Sequence, residues 1–265
     1  MAGWNSATVE MCLILIAFQP DSKLPLLVAG NRDEFHSRPT QKADWWPDDT
    51  DLLGGRDLQA GGTWLAVSRS GRFAAVTNYR DAAATLRGKQ SRGHLVTGFL
   101  QSDLAPAEYI SKIDGDAYAG FNLLVSDKRQ LAYYSNRSSN FGELSPGLYG
   151  LSNATLDTPW EKVERSKRIL SELIAADAVN ETSLMRLLAD RDKGPVAEAK
   201  ADHLPFATAH AITAPFIVLP EYGTRCSTVV LAGDDGHWEF AEVRFSADGI
   251  KTGKSQYSFR QVDRQ

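Results

Sequence analysis

Cysteine is scarce in this chain, with two in 265 residues, Cys12 and Cys226. Two thiols build neither a disulfide framework nor a zinc site of their own. An excess of basic charge is also missing. There are 29 Lys and Arg against 33 Asp and Glu, a net charge of −4. That balance removes the bulk electrostatic reason to bind nucleic acid or an anionic membrane. Long hydrophobic runs are absent too. The longest, Met11 to Phe18, has eight residues, far short of the roughly 20 that cross a bilayer, so it reads as a buried strand. Residues 1–10 hold no Lys or Arg, so no signal-peptide n-region precedes that run. A reducing, cytoplasmic setting with no transmembrane segment is the expectation. The five histidines show no H-x-x-x-H spacing, and no metal site is expected from them. No repeat of 20 to 50 residues or low-complexity linker interrupts the chain.

What is present is an ordinary globular composition, 43% hydrophobic and 23% charged. We read residues 11–265 as one domain and residues 1–10 as an N-terminal extension. Apolar runs come in pairs around turn residues. Cys12 to Phe18 and Leu26 to Ala29 form one pair, Trp64 to Val67 and Phe73 to Thr77 a second, and Asn122 to Val125 and Leu131 to Tyr134 a third. Thr228 to Ala232 and His237 to Phe245 flank Asp234-Asp235-Gly236, the strongest turn signal, because Asp-Gly tolerates the positive φ of tight turns. Helices are fewer. Thr158-Pro159-Trp160-Glu161 reads as a capping box with Pro at the first helical position, and Val163, Leu170, Leu173 and Ile174 follow on one face. Thr182 to Ala189, Ser91 to Leu100 and Pro106 to Ile113 are further helices, and Asp190 to Pro205 is a charged surface excursion. Hairpins with grouped helices predict an α+β fold of mostly antiparallel sheets covered by helices.

The chemistry-bearing motifs sit at strand ends. Met11-Cys12 heads an apolar strand. Free cysteine is among the most buried residue types, so a core cysteine is one reading. The other is that translation starts at Met11 and this residue is then removed. Cys12 would then carry a thiol beside a free α-amine, which can act as the base for its own nucleophile. Asn31-Arg32-Asp33-Glu34 follows Leu26 to Ala29. It reads either as a solvated turn or as a carboxylate and guanidinium placed to orient a thiolate or ammonium. Thr77-Asn78-Tyr79-Arg80, Tyr149 to Asn153 and Tyr222 to Cys226 repeat the pattern, although Asn and Gly are also common turn formers. Gly61-Gly62-Thr63-Trp64 lacks the spacing of a phosphate loop. Trp45-Trp46, in a Pro- and Asp-rich loop, reads as a packed anchor or, second, as the wall of a ligand cleft.

Together, Met11-Cys12, Asn31-Arg32-Asp33-Glu34, Arg38-Pro39, Gly61 to Leu65, Thr77-Asn78-Tyr79, Gly120 to Leu123, Tyr149 to Asn153, Thr158-Pro159-Trp160 and Tyr222 to Arg225 occur in one order. That order resembles the NRDE family, also called the transport and Golgi organisation 2 family, named for the tetrapeptide at 31–34. The resemblance runs from Met11 to about Arg260 and leaves out residues 1–10 and the Asp190 to Ala214 region. The family in turn resembles the N-terminal-nucleophile (Ntn) hydrolases, which implies a four-layer αββα sandwich. A looser likeness links the chain to the cysteine amidohydrolases of that superfamily that cut penicillin V and conjugated bile salts.

These resemblances imply two functions. Family members are implicated in intracellular haem trafficking and lipid or acyl-CoA homeostasis, so the leading expectation is a haem- or lipid-ligand handler. It requires no cofactor, and haem is a possible transported ligand. The alternative is a cysteine-type Ntn amidohydrolase acting on a small amide. For catalysis the resemblance points to Cys12 as nucleophile, Arg32 beside it, Asp33 holding the ammonium, Asn78 and Asn153 as oxyanion donors and Arg225 lowering the thiol pKa. For ligand binding the candidates are Asn31, Arg32, Glu34, His36, Trp64 and Tyr79, with Cys12 and His36 as possible axial ligands. If Arg225 faces the cleft, strand alternation turns Cys226 away from it.

Overall fold

A computed structural model describes residues 11–80, 90–139, 141–198 and 204–262. The expected extension, residues 1–10, and His203 lie outside the described residues. The strands form two sheets. One contains β1 (Cys12–Phe18), β2 (Leu26–Phe35), β10 (Gly147–Leu151), β11 (Tyr222–Ala232), β12 (His237–Phe245) and β13 (Lys251–Arg260), in the order β10-β1-β2-β11-β12-β13. The other runs in chain order through β3 (Thr40–Trp46), β4 (Asp49–Asp57), β5 (Leu65–Ser68), β6 (Phe73–Asn78), β7 (Phe121–Ser126), β8 (Leu131–Ser135) and β9 (Gly142–Glu143). The pairings between these strands are antiparallel, and the four expected hairpins are present. Gly236 closes the β11–β12 turn at φ +82°.

Helices cover both outer faces, giving an αββα sandwich. Even-numbered residues of β1, Ile14, Ile16 and Phe18, meet Phe73, Ala75 and Trp238 between the sheets. The odd ones, Leu13, Leu15 and Ala17, pack under α3 (Glu161–Ala175) and α4 (Glu181–Leu188). On the second sheet, Ala74 and Val76 pack under α1 (Gly93–Gln101) and α2 (Pro106–Ser111). Because both faces are buried, the central strands read as continuous apolar runs even though they are antiparallel. The short helix α5 (Phe206–Ala211) lies in the long connection to β11.

Several local expectations are corrected. β2 does not stop at Ala29 but continues through Asn31-Arg32-Asp33-Glu34, four residues between 0 and 7% exposed. Asn31 and Arg32 have ladder partners on both β1 and β11, and Asp33 and Glu34 are paired with β11 alone, so the polar segment stays in the sheet. Trp45 and Trp46 end strand β3 instead of lying in a loop. Trp45 packs edge-on against Tyr257 and Phe259, and the Trp46 indole N–H donates to the Gly54 carbonyl at 3.0 Å. Helix α3 begins after Pro159, and the Thr158 hydroxyl turns back to the Thr155 carbonyl. Its buried stripe is Lys162, Val163, Ser166 and Leu170, and Ile174 is 44% exposed. The reciprocal capping box belongs to α4, where Asn180 and Ser183 each bond the other's backbone N–H.

One close approach shapes the cleft described below. A Cβ on Gly62 would stand 2.5 Å from the Gly93 carbonyl carbon, because the β4–β5 connection presses on the start of α1. Backbone cannot yield there as a side chain would. Gly62→Ala should destabilise the protein by about 1–3 kcal/mol in a denaturant titration; an unchanged midpoint would mean the two segments separate freely.

Candidate functional site

The start of β1 places Cys12 on the inner face of the first sheet. In register beside it stand Arg32 on β2, Cys226 on β11 and Arg244 on β12. A cleft of about 400 Å³ opens above this row, lined by Cys12, Arg32, Asp33, Glu34, Cys226 and Glu242 from the first sheet. Arg38, Arg56, Asp57, Trp64, Val76, Asn78 and Arg92 complete the walls. Arg32 Nη2 lies 3.4 Å from Glu34 Oε2, Arg32 Nη1 donates to Thr40 Oγ1 at 3.2 Å, and Arg38 Nη2 lies 2.7 Å from Asp57 Oδ2. These contacts fix the guanidiniums along one wall.

The nitrogen and carbonyl of Cys12 are both held. Its amide N–H donates to Asn153 Oδ1 at 2.7 Å, and its carbonyl accepts from Ser152 Oγ at 2.6 Å. Asn153 Nδ2 in turn donates to the Asn78 carbonyl at 2.8 Å, and Thr77 Oγ1 donates to the Ser152 carbonyl at 2.9 Å. Asn122 Nδ2 continues the chain to Thr77 Oγ1 and to the Ala154 carbonyl, and Tyr133 donates to Asn122 Oδ1. This buried network ties the residue before the cleft to the second sheet.

Asp33 presents its carboxyl to the helix side of the sheet. Thr224 Oγ1 donates to Asp33 Oδ1 at 2.6 Å, and Asp33 Oδ2 has no hydrogen-bond partner among the described residues. Lys162, 1% exposed, points toward it from α3, and Tyr222 Oη bonds both the N–H and the carbonyl of Met11. Burial pushes Asp33 up to about 7 against the pull of Lys162, and pushes Lys162 down to about 8 against the pull of Asp33. Burial, with the Asp33 charge added, drives the Cys12 thiol up to about 12, although the Asp33 backbone N–H and Arg32 act the other way. Burial likewise raises Cys226. Both thiols are therefore protonated at neutral pH.

Of the residues singled out in the sequence, Cys12, Arg32, Glu34, Trp64 and Asn78 come together in the cleft; Asp33 borders it but turns its carboxyl to the helix side. Asn153 reaches Cys12 through its nitrogen and holds the chain from behind. Four others lie elsewhere. Asn31 is on the opposite face, where Nδ2 donates to the carbonyls of Leu188 and Pro215 and Oδ1 accepts from Ser227. Alternation along β2 sends Asn31 and Arg32 to opposite sides. His36 Nε2 lies 3.1 Å from the Leu219 carbonyl, outside the cleft. Tyr79 follows the end of β6, tied by its backbone to Gly120. Arg225 sits in a bulge of β11 and donates to the carbonyls of Phe35 and Arg38. The bulge cancels the alternation expected there, so Cys226 faces the cleft and Arg225 does not act on the thiol. Ser152, Tyr222 and Thr224 lie in motifs noted at strand ends but carry no assigned role there, and Lys162 behind Cys12 draws no reading from the sequence.

Neighbouring strands lie about 4.8 Å apart, so Cys12 and Cys226, two strands apart, exceed the roughly 7 Å limit for a disulfide. Both are free. A thiol reagent should find neither in native protein at neutral pH and both after non-reducing denaturation. Asp33 and Lys162 also predict a pH signature. Folding raises the Asp33 pKa, so the native state holds a proton that the unfolded state releases between about pH 4 and 7, and stability falls across that window. Folding lowers the Lys162 pKa, so the unfolded state holds the extra proton between about pH 8 and 10.5, and stability recovers there. Asp33→Asn should flatten the acid limb of the pH–stability curve and Lys162→Met the alkaline limb; unchanged limbs would contradict the buried pair.

The family model described as Transport and Golgi organisation 2 matches residues 11–247. The Transport and Golgi organization protein 2 homolog of Bos taurus is 36% identical over 274 residues, covering 94% of this chain and 99% of that protein. The Homo sapiens homolog is 35% identical, covering 88% and 92%. Among solved structures, a Caenorhabditis elegans N-acylethanolamine-hydrolyzing acid amidase ortholog superposes with a TM-score of 0.51 at 13% identity, covering 83% and 92%. A conjugated bile acid hydrolase variant from Clostridium perfringens gives 0.51 at 10% identity, covering 95% and 98%. At those identities the structural likeness speaks for the fold alone, an Ntn-hydrolase-like sandwich.

Proposed function

The chain belongs to the Transport and Golgi organisation 2 family, and from the cleft beside Cys12 we propose that it binds and hands on a small anionic amphiphile such as haem or an acyl-CoA. The observation that carries this reading is the lining of the cleft, where basic and apolar side chains meet. Arg32, Arg38, Arg56 and Arg92 line the cleft, and guanidinium is the group that best matches a carboxylate or phosphate. Trp64, Val76 and Ala119 supply apolar surface for a flat or aliphatic body. Among the described residues no histidine lines the cleft, so haem would be held by its propionates and its apolar faces more than by an imidazole on iron.

A second reading is favoured by one feature. The fold shared with two amide-bond hydrolases puts a cysteine at the head of β1 with Asp33, Asn153 and Asn78 around it. If residue 12 carries a free amine, that amine takes the thiol proton as sulfur attacks an amide carbonyl. The proton then passes to the departing nitrogen, and water cleaves the resulting thioester to acid and free thiol.

Spectral titration with haem, run beside an amide-hydrolysis screen on the same sample of known intact mass, separates the two. For protein that retains Met11 we expect haem binding in the micromolar range and no turnover. Arg32→Ala should weaken binding about tenfold, the scale of one lost charge-assisted contact, and Cys12→Ala by clearly less. Cysteine-dependent hydrolysis without haem or acyl-CoA binding would reverse the order.

A further inference from the structure

Among the walls of the large cleft, the Glu242 carboxylate is the acid that the paired guanidiniums of β2 leave unexplained. Strand β12 turns it between the sheets, where the residue is 3% exposed. Its two oxygens are used unequally. Oε1 accepts from the Ala43 N–H of β3 at 2.9 Å and lies 3.4 Å from Arg244 Nη1, which itself donates to Ser255 Oγ at 2.8 Å. Oε2 has no N–H or hydroxyl donor among the described residues. Unlike Asp33 Oδ2, it is not sealed inside the protein, and Glu242 lines the cleft. Its neighbours leave it open. Residue 55 on β4 is glycine, and a Cβ there would stand 3.4 Å from Oε2 and 3.2 Å from the Gln41 carbonyl oxygen. Cys226 lines the cleft beside it. Burial, and after it the Glu242 charge, raises that thiol, so it keeps its proton and offers only the weak S–H donor.

A buried carboxylate oxygen that no donor reaches costs free energy. Water can supply the donor, but a ligand that displaces water without replacing its hydrogen bond loses affinity. Discrimination between isosteres is strongest where the wrong one strands a buried polar group. Arg244 already offsets the carboxylate charge, so a neutral donor suffices. We propose that Glu242 is the specificity-determining residue of the cleft, its Oε2 accepting a hydrogen bond from a neutral N–H or O–H of the bound amphiphile. The preferred ligand then carries an amide or hydroxyl on its body besides the anionic group that the arginines match. Acyl-CoA has such donors along its pantetheine arm, and haem with ionised propionates has none. The inference rests on the cleft being the ligand site proposed above.

Two probes that differ at one atom test it on the full chain. N-decanoylglycine and its ester isostere, decanoyl glycolic acid, share chain and carboxylate, with oxygen replacing N–H in the second. Calorimetric titration below the micelle concentration should show the amide binding about tenfold tighter, the scale of one hydrogen bond to a charged group. In Glu242→Gln the Ala43 N–H retains the side-chain oxygen and turns the NH2 toward the cleft, so the preference should vanish or reverse. Cys226→Ser offers Oε2 a hydroxyl donor and should narrow the preference while leaving the arginines in place. Equal affinity of the unmutated chain for the two probes, both weakened by Arg32→Ala, would overturn the inference and leave the cleft reading standing. An amide preference unchanged in both variants would do the same. Binding of neither probe would overturn the inference and the cleft reading together.

Discussion

The pairing of β2 is the constraint from which the site follows. Its backbone is paired with both β1 and β11 through Arg32 and with β11 alone from Asp33 to Phe35, so the strand carries four consecutive polar residues into the interior. Leaving those backbone groups unpaired in a buried turn would cost free energy, and the side chains find partners in neighbouring side chains or backbone except at Asp33 Oδ2. Alternation then divides the segment. Arg32 and Glu34 face the cleft between the sheets, and Asn31 and Asp33 face the helices. One tetrapeptide thereby serves as a wall of the cleft and as a staple to the helical layer, where Asn31 holds the Leu188 and Pro215 carbonyls.

The second organising feature is the polar stitch between the sheets. Cys12 is fixed through its own backbone by Ser152 and Asn153, which are fixed by Thr77, Asn122 and the Asn78 carbonyl of the other sheet. The thiol therefore meets the cleft from a position that neither sheet sets alone. A buried network satisfied along its length specifies one arrangement of the layers more sharply than apolar contacts do. It also explains why Asn153, although next to Cys12, acts first as an anchor for the nitrogen of residue 12.

Electrostatics differ on the two sides of that residue. On the cleft side, guanidiniums and carboxylates are paired and partly wet. On the helix side, Asp33, Lys162 and Tyr222 are dry, and burial dominates each of their shifts. Burial, with the Asp33 charge added from behind the sheet, raises the Cys12 thiol.

Much of the fold was legible in the chain itself. Paired apolar runs around polar connections, two of them Ser-Gly and Asp-Gly turns, marked four hairpins, because period and turn chemistry are local properties. The ordered motifs from Met11-Cys12 to Tyr222-Gly223-Thr224-Arg225 marked the family, and with it the αββα layers. What stayed hidden depends on contacts distant in sequence. Nothing local says that Asn31 to Glu34 continue a strand, since their ladder partners come from Leu13 and from Gly223, nearly two hundred residues away. Nothing local shows the bulge that takes Arg225 out of the cleft and brings Cys226 in. Nothing local marked Lys162. Only the packing of α3 on the first sheet buries it beside Asp33, because burial is set by what covers a residue and not by what precedes it.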